Sequence, residues 1–77
     1  MSYNGYKREL MLFLVNYTAE NGGAFPSHDT MARHFGITIS ESRHRIRELL
    51  QDRLITYDDD YNYILHPEKL GIEPGLI

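Results

Sequence analysis

Ser27, His28 and Asp29 stand consecutively in the chain and are the three residue types of a hydrolytic triad. Consecutive side chains diverge on a helix, so the trio cannot relay a proton from one member to the next. The four histidines, His28, His34, His44 and His66, show no metal-ligand spacing on one helix face. Asp58-Asp59-Asp60 lacks the alternating ligands and distant glutamate of a calcium loop. Neither a dinucleotide-type nor a P-loop-type glycine-rich segment is present. An enzyme is therefore not expected, and neither is a metal or a cofactor. The remaining chemical signal is basic: in residues 36–50, GITISESRHRIRELL, Arg43, His44, Arg45 and Arg47 fall inside five positions.

That cluster sits in a chain of formal charge −3 and pI near 5.7, which on average repels polyanions. The charge is unevenly placed. Over residues 1–23 it cancels, over 24–53 five arginines face four acids, and over 56–77 five acids face Lys69 alone. A local basic patch attracts phosphate even when the whole molecule does not.

Seventy-seven residues allow one small domain, 1–77, and exclude a two-domain enzyme. With no cysteine, neither a disulfide framework nor a thiolate metal site supplements the core. A composition 42% hydrophobic and 25% charged belongs to a folded chain. The longest apolar run, residues 10–15, is too short to cross a bilayer, and no basic signal region precedes it. The expectation is a soluble, cytoplasmic protein with no membrane partner, and Met1 with the compact ending fits a free-standing product.

The elements that must position the basic cluster follow from periodicity and caps. Leu10, Phe13, Leu14 and Tyr17 recur at helical spacing, predicting a first helix over about 7–20 that Asn21-Gly22-Gly23 ends. Pro26 biases Phe25 to extended geometry, and Ser27 caps a second helix over about 27–35 with Met31, Ala32 and Phe35 as its apolar face. Gly36 ends that helix, and Thr38 with Glu41 forms a capping box for a third over about 39–53. Ser42, Ile46, Leu49, Leu50 and Arg53 share one face of it. Ser40, Glu41, His44, Arg47, Glu48 and Gln51 point broadly the other way, with Arg43 and Arg45 on the flanks. Two β-prone runs around Asp58-Asp59-Asp60 predict a hairpin over about 54–65, with Tyr61, Tyr63 and Leu65 on one face of its second strand. Residues 66–77 are read as an irregular tail. The fold class is α+β, mostly α: a winged helix-turn-helix of three helices and a two-stranded wing.

The residues themselves point to a family. Lys7-Arg8-Glu9-Leu10, then residues 21–27 (NGGAFPS), Met31-Ala32, Phe35-Gly36, Ile46, Leu49 and Leu54-Ile55 together resemble the N-terminal DNA-binding domain of LexA-type repressors. They are similar, more loosely, to GntR-type and MarR-type winged helices. The resemblance spans about residues 7–65 and implies a phage or prokaryotic transcription regulator, a repressor in type, whose third helix enters the major groove of double-stranded DNA. Position by position it places Thr38, Ser40, Glu41, Arg43 and His44 nearest the bases and Arg47 nearest a phosphate. Ser27 and His28 would face the DNA backbone, with Asp29 weakening that contact. Arginine can pair with guanine and glutamate with cytosine, while serine serves base or phosphate.

Three departures accompany the resemblance. Arg53 stands where such domains commonly have glycine before the wing, and Ser42 stands where a small or aliphatic core residue is usual. These 77 residues include no self-cleaving dimerisation domain such as LexA-type repressors carry, so the resemblance does not bring self-cleavage with it. A homodimer is the expected DNA-binding form, because one short recognition helix seldom supplies enough affinity, and the six tyrosines with the apolar tail, Leu70 to Ile77, offer a seam; more simply, the tail covers the open side of a small core. The alternative function is a protein-interaction module that binds a basic partner through the acidic wing and tail, without DNA. On that alternative Asp58-Asp59-Asp60 is the contact; more simply, it is a turn whose aspartates satisfy local amides.

Overall fold

A computed structural model describes residues 5–72. Three helices, α1 (Gly5–Glu20), α2 (His28–Phe35) and α3 (Ile39–Gln51), precede two strands, β1 (Ile55–Tyr57) and β2 (Tyr63–Leu65), and a 3₁₀ turn, Pro67–Leu70. The strands pair antiparallel, with Ile55 opposite Leu65, Thr56 opposite Ile64 and Tyr57 opposite Tyr63. This is an α+β, mainly helical chain with the winged helix-turn-helix layout.

Short-range chemistry sets the two helix starts that matter here. The Thr30 amide donates to Ser27 Oγ at 3.0 Å, and the Glu41 amide donates to Thr38 Oγ1 at 2.9 Å. Each bond satisfies an amide that the first helical turn leaves without a carbonyl partner. Only half of the expected capping box forms at Thr38, because the Glu41 carboxylate turns to Arg45 instead.

The helix ends share one device. After α1, α2, α3 and the 3₁₀ turn, an amide donates five residues back: Gly23 to Thr18, Ile37 to Ala32, Leu54 to Leu49 and Ile72 to Pro67. This closure needs one residue in the left-handed region. Gly22, Gly36 and Gly71 supply it in three cases, and Arg53, at φ 60°, supplies it in the fourth. The left-handed turn at Arg53 stops α3 at Gln51, two residues short of the expected end, and sends Leu54 back into the core.

The core gathers Leu10, Met11, Leu14 and Val15 from α1, Met31 from α2, Ile46 and Leu49 from α3, then Leu54, Ile55 and Ile72. On α1 the buried row includes Met11 and Val15, which flank Leu10 and Leu14 on the side away from the expected Phe13 and Tyr17. Those two rings instead join His34 and Phe35 in a half-buried aromatic cluster, with Phe13 stacked on His34 at 4.3 Å.

Two expectations need correction. The tail is not irregular over its described part: Pro67, whose fixed φ suits a helical first position, starts the 3₁₀ turn, and Ile72 is buried beneath it. Arg8 donates to the Leu70 carbonyl at 2.6 Å, tying this segment to α1. Leu76 and Ile77, expected at a dimer seam, lie outside the described residues. Tyr61, expected on a strand face with Tyr63, sits in the turn at φ 63° with 83% of its surface exposed.

Candidate nucleic-acid interface

Ser42, Ile46 and Leu49 bury one face of α3, and that burial determines which side chains remain outside. Ser40, Arg43, His44, Arg47 and Gln51 are exposed on the opposite surface, with the Thr38 cap at its N-terminal end. The expected recognition face therefore exists as a continuous exposed strip.

The cations on the helix-turn-helix are not equivalent. Arg33 is held by Asp29 at 2.7 Å, and Arg45 by Glu41 at 3.2 Å. Arg45 also lies over the Tyr6 ring of α1, 4.8 Å from its centroid, which makes it a packing group between helices. His44 Nε2 lies 3.2 Å from the Glu48 carboxylate. Among the described residues Arg43 and Arg47 have no carboxylate partner, and both are exposed. Four residues apart on one helix, their guanidiniums repel each other mildly, an arrangement that a bound polyanion relieves.

Arg43 and Arg47 meet residues from other elements. They line a cleft of about 240 Å³ together with His28 of α2, Ile46 and Leu50 of α3, and Tyr63 of β2. The lining combines the apolar side chains of Ile46 and Leu50 with the cationic side chains of Arg43 and Arg47. Tyr63 is fixed there by its neighbours, since its ring packs 4.5 Å from Phe25 and 5.3 Å from Tyr57. Burial raises the Tyr63 phenol above its ordinary value, as do a hydrogen bond and Coulomb repulsion from Tyr57, so it stays a neutral donor.

The structure thus groups the sequence-derived residues in three ways. His28, Arg43 and Arg47 converge on one cleft. Thr38, Ser40 and His44 occupy the N-terminal half of the exposed α3 strip, while Glu41 is drawn to its edge by Arg45. Ser27 is exposed, but its Oγ is engaged with Thr30 Oγ1 at 3.0 Å as well as with the Thr30 amide. Asp29, adjacent to the anticipated backbone contact, is partly neutralised by Arg33.

Two residues of this region were not anticipated in their roles. Ser42 is buried, only 2% exposed, with its Oγ 2.9 Å from His28 Nδ1. The sequence signalled only that a polar residue stood on the core face; its partner, fourteen positions away on another helix, left no local mark. Tyr63 was read as a strand residue, and its place in the cleft depends on how the wing folds back.

The acidic loop is a hydrogen-bonded turn. The amides of Asp60 and Asn62 donate to Asp58 Oδ1 at 2.8 and 2.9 Å. The Asn62 amide is the main reason that the Asp58 carboxyl titrates below its ordinary range. Tyr61 and Asn62, next along the turn, line a concavity with Thr18, Gly23, Ala24 and Phe25, so the turn lies beside the α1–α2 loop. Asp59 and Asp60 remain exposed.

Among the described residues, no helix is long and apolar enough to cross a membrane, and no group of three His, Asp or Glu side chains could hold a metal ion. Comparison with protein-family models, with curated proteins and with solved structures returned no match to this chain.

Proposed function

We propose that the protein is a small DNA-binding transcription regulator that reads duplex DNA in the major groove through α3. The observation carrying this reading is the pair of exposed arginines, Arg43 and Arg47, without carboxylate partners among the described residues, while Arg33 and Arg45 beside them are paired. Unpaired guanidiniums on an exposed helix are ready to exchange water and counterions for phosphate or a guanine edge. Thr38, Ser40 and His44 supply further hydrogen-bonding groups around them, and Ser27 lies at the flanking N-terminus of α2. The wing plays a lesser part, because Asp59 and Asp60 repel phosphate. The resemblance to LexA-type DNA-binding domains supports the same assignment, with a homodimer in the cytoplasm as its working form and no catalytic activity, metal or cofactor.

A second reading rests on the wing. The ionised Asp58 turn, with exposed Asp59, Asp60, Tyr57 and Tyr61, presents carboxylates and aromatic rings together, the chemistry of a surface for a basic protein partner. Selection from randomised duplex DNA separates the two. The wild-type protein enriches a recurrent motif, palindromic if it acts as a dimer, and an Arg43→Ala, Arg47→Ala double variant loses it. Absence of any enriched motif at low and at physiological salt rejects the regulator and leaves the wing as the contact.

A further inference from the structure

Ser42 is a polar residue on the core face of α3, and its burial sets a requirement. A hydroxyl removed from water must place its hydrogen on an acceptor. Thr18 meets that requirement by donating to its own helix carbonyls, Leu14 and Val15, at 2.9 and 3.1 Å. Ser42 makes no such bond: among the described residues the hydrogen-bond partner of its Oγ is His28 Nδ1, at 2.9 Å. The hydroxyl therefore donates to Nδ1, which must carry a lone pair. In a neutral imidazole the proton then resides on Nε2.

The ring is neutral because burial lowers the His28 pKa, with the Arg43 guanidinium adding to the effect. Nδ1 and Nε2 project from different sides of the ring. With Nδ1 held against the buried Ser42, Nε2–H lies on the other side of the ring from that hydroxyl, and His28 lines the same cleft as Arg43 and Arg47.

We propose that the Ser42–His28 pair sets a neutral hydrogen-bond donor beside the Arg43 and Arg47 guanidiniums, forming a seat for one phosphodiester oxyanion of duplex DNA at the α2–α3 junction. The proposal rests on the DNA-binding reading and specifies where the backbone is gripped. Its ligand is a single phosphate, met by two cations from α3 and one uncharged donor from α2. A seat built from both helices fixes the angle at which α3 enters the groove, because the phosphate is contacted correctly only when both are in register. Ser42 is a positioning residue: it touches no DNA and acts by holding the His28 tautomer and ring orientation.

The charge types give the test its signature. A cation that contacts phosphate releases counterions, and its removal lowers the slope of log affinity against log salt by about 0.9. A neutral donor releases none, so its removal lowers affinity at constant slope. Long-range nitrogen–proton NMR of the wild-type protein at neutral pH should show His28 as the Nε2–H tautomer, and Ser42→Ala should erode that preference. In duplex titrations between about 50 and 200 mM salt, His28→Ala should weaken binding about tenfold or more, the effect of losing one hydrogen bond to a charged group. Its salt slope should remain that of the wild type, and His28→Gln, which keeps a donor near Nε2, should recover most of the loss. Circular dichroism checks that the variants fold, and the wild-type tautomer needs no variant at all.

An Nδ1–H tautomer in the wild type, or a His28→Ala slope reduced by about one contact, overturns the neutral-donor seat. Duplex binding that depends on Arg43 and Arg47 but ignores His28 also overturns the seat while leaving the DNA-binding reading standing. No duplex binding by the wild type overturns both.

Discussion

Replacing Arg53 by glycine should stabilise the protein. Arg53 occupies the left-handed position at the end of α3, φ 60°, that glycine fills at 22, 36 and 71. Two bonds demand it there: the Arg53 amide donates to Leu50 at 3.1 Å and the Leu54 amide to Leu49 at 2.9 Å. For a residue with a Cβ this conformation costs about 1–2 kcal/mol. Against that gain stands the greater freedom of glycine in the unfolded chain, about 0.4–1 kcal/mol. The Arg53 side chain is exposed and has no ion pair among the described residues, so truncation removes little else. The Lys69 ammonium bonds to the Arg53 carbonyl at 3.0 Å, a contact that glycine keeps. The net expectation is about 0.5–1 kcal/mol of added stability. Urea unfolding followed by circular dichroism measures it: with a slope of about 1 kcal/mol per molar for a domain of this size, the midpoint should rise by about 0.5–1 M at unchanged slope. Arg53→Val, a β-branched residue in the same conformation, should move the midpoint the other way. An Arg53→Gly midpoint at or below that of the wild type would refute the strain argument.

Other outcomes follow from the same structure. Ile72→Ala should cost about 2–5 kcal/mol in urea unfolding, because the side chain is buried against the core from beyond the 3₁₀ turn; a loss near zero would show that the tail merely rests on the surface. Thr38→Ala should cost about 1 kcal/mol by removing the acceptor for the Glu41 amide, and unchanged stability would contradict the cap. Stability should also fall in acid in two stages. His28 has its folded pKa lowered below 6.5, so both states are neutral above that pH; as pH falls through 6.5 the unfolded chain protonates first, and stability is lost until the folded pKa is passed. Asp58, lowered below 3.8, repeats this at lower pH: its contribution is present above 3.8 and disappears as pH falls through its folded value. His28→Gln should abolish the upper stage in a pH series of urea midpoints and leave the lower one, and an unchanged upper stage would assign it to another group.

The features legible in the sequence were those that depend on neighbours in the chain. Ser27, Thr38 and Gly36 announce the ends of the helix-turn-helix because caps and left-handed closures involve residues two to five apart. The hairpin was legible for a similar reason, as two β-prone runs around a turn in which Asp58 accepts from amides two and four positions on. Other features depend on distance in sequence. The apolar residues of α1 wrap around much of its circumference, so periodicity could not separate the core row of Leu10, Met11, Leu14 and Val15 from the side where Phe13 and Tyr17 meet His34 and Phe35. Ile72, an isolated apolar residue after a Pro and a Gly, has no period by which to be found. The candidate site divides along the same line. Its exposed strip on α3 follows from helical geometry, but the convergence of His28, Arg43, Arg47 and Tyr63, and the bond from Ser42 that orients His28, exist only once α2, α3 and the wing pack together.

Whether α3 carries a DNA-binding surface is tested most directly by fluorescence titration of a labelled mixed-sequence duplex with the wild type and the Arg43→Ala, Arg47→Ala variant, across about 50–200 mM salt. Wild-type affinity falls steeply and linearly in log–log form, and the variant's slope is shallower by about 0.9 if both guanidiniums share the one phosphate of the seat, or by about 1.8 if each neutralises its own phosphate. If only one meets phosphate while the other reads a base, the slope changes by about 0.9 with a larger loss of affinity. Identical slopes and affinities for the two proteins, or no binding by the wild type at the lowest salt, would contradict a DNA-binding α3.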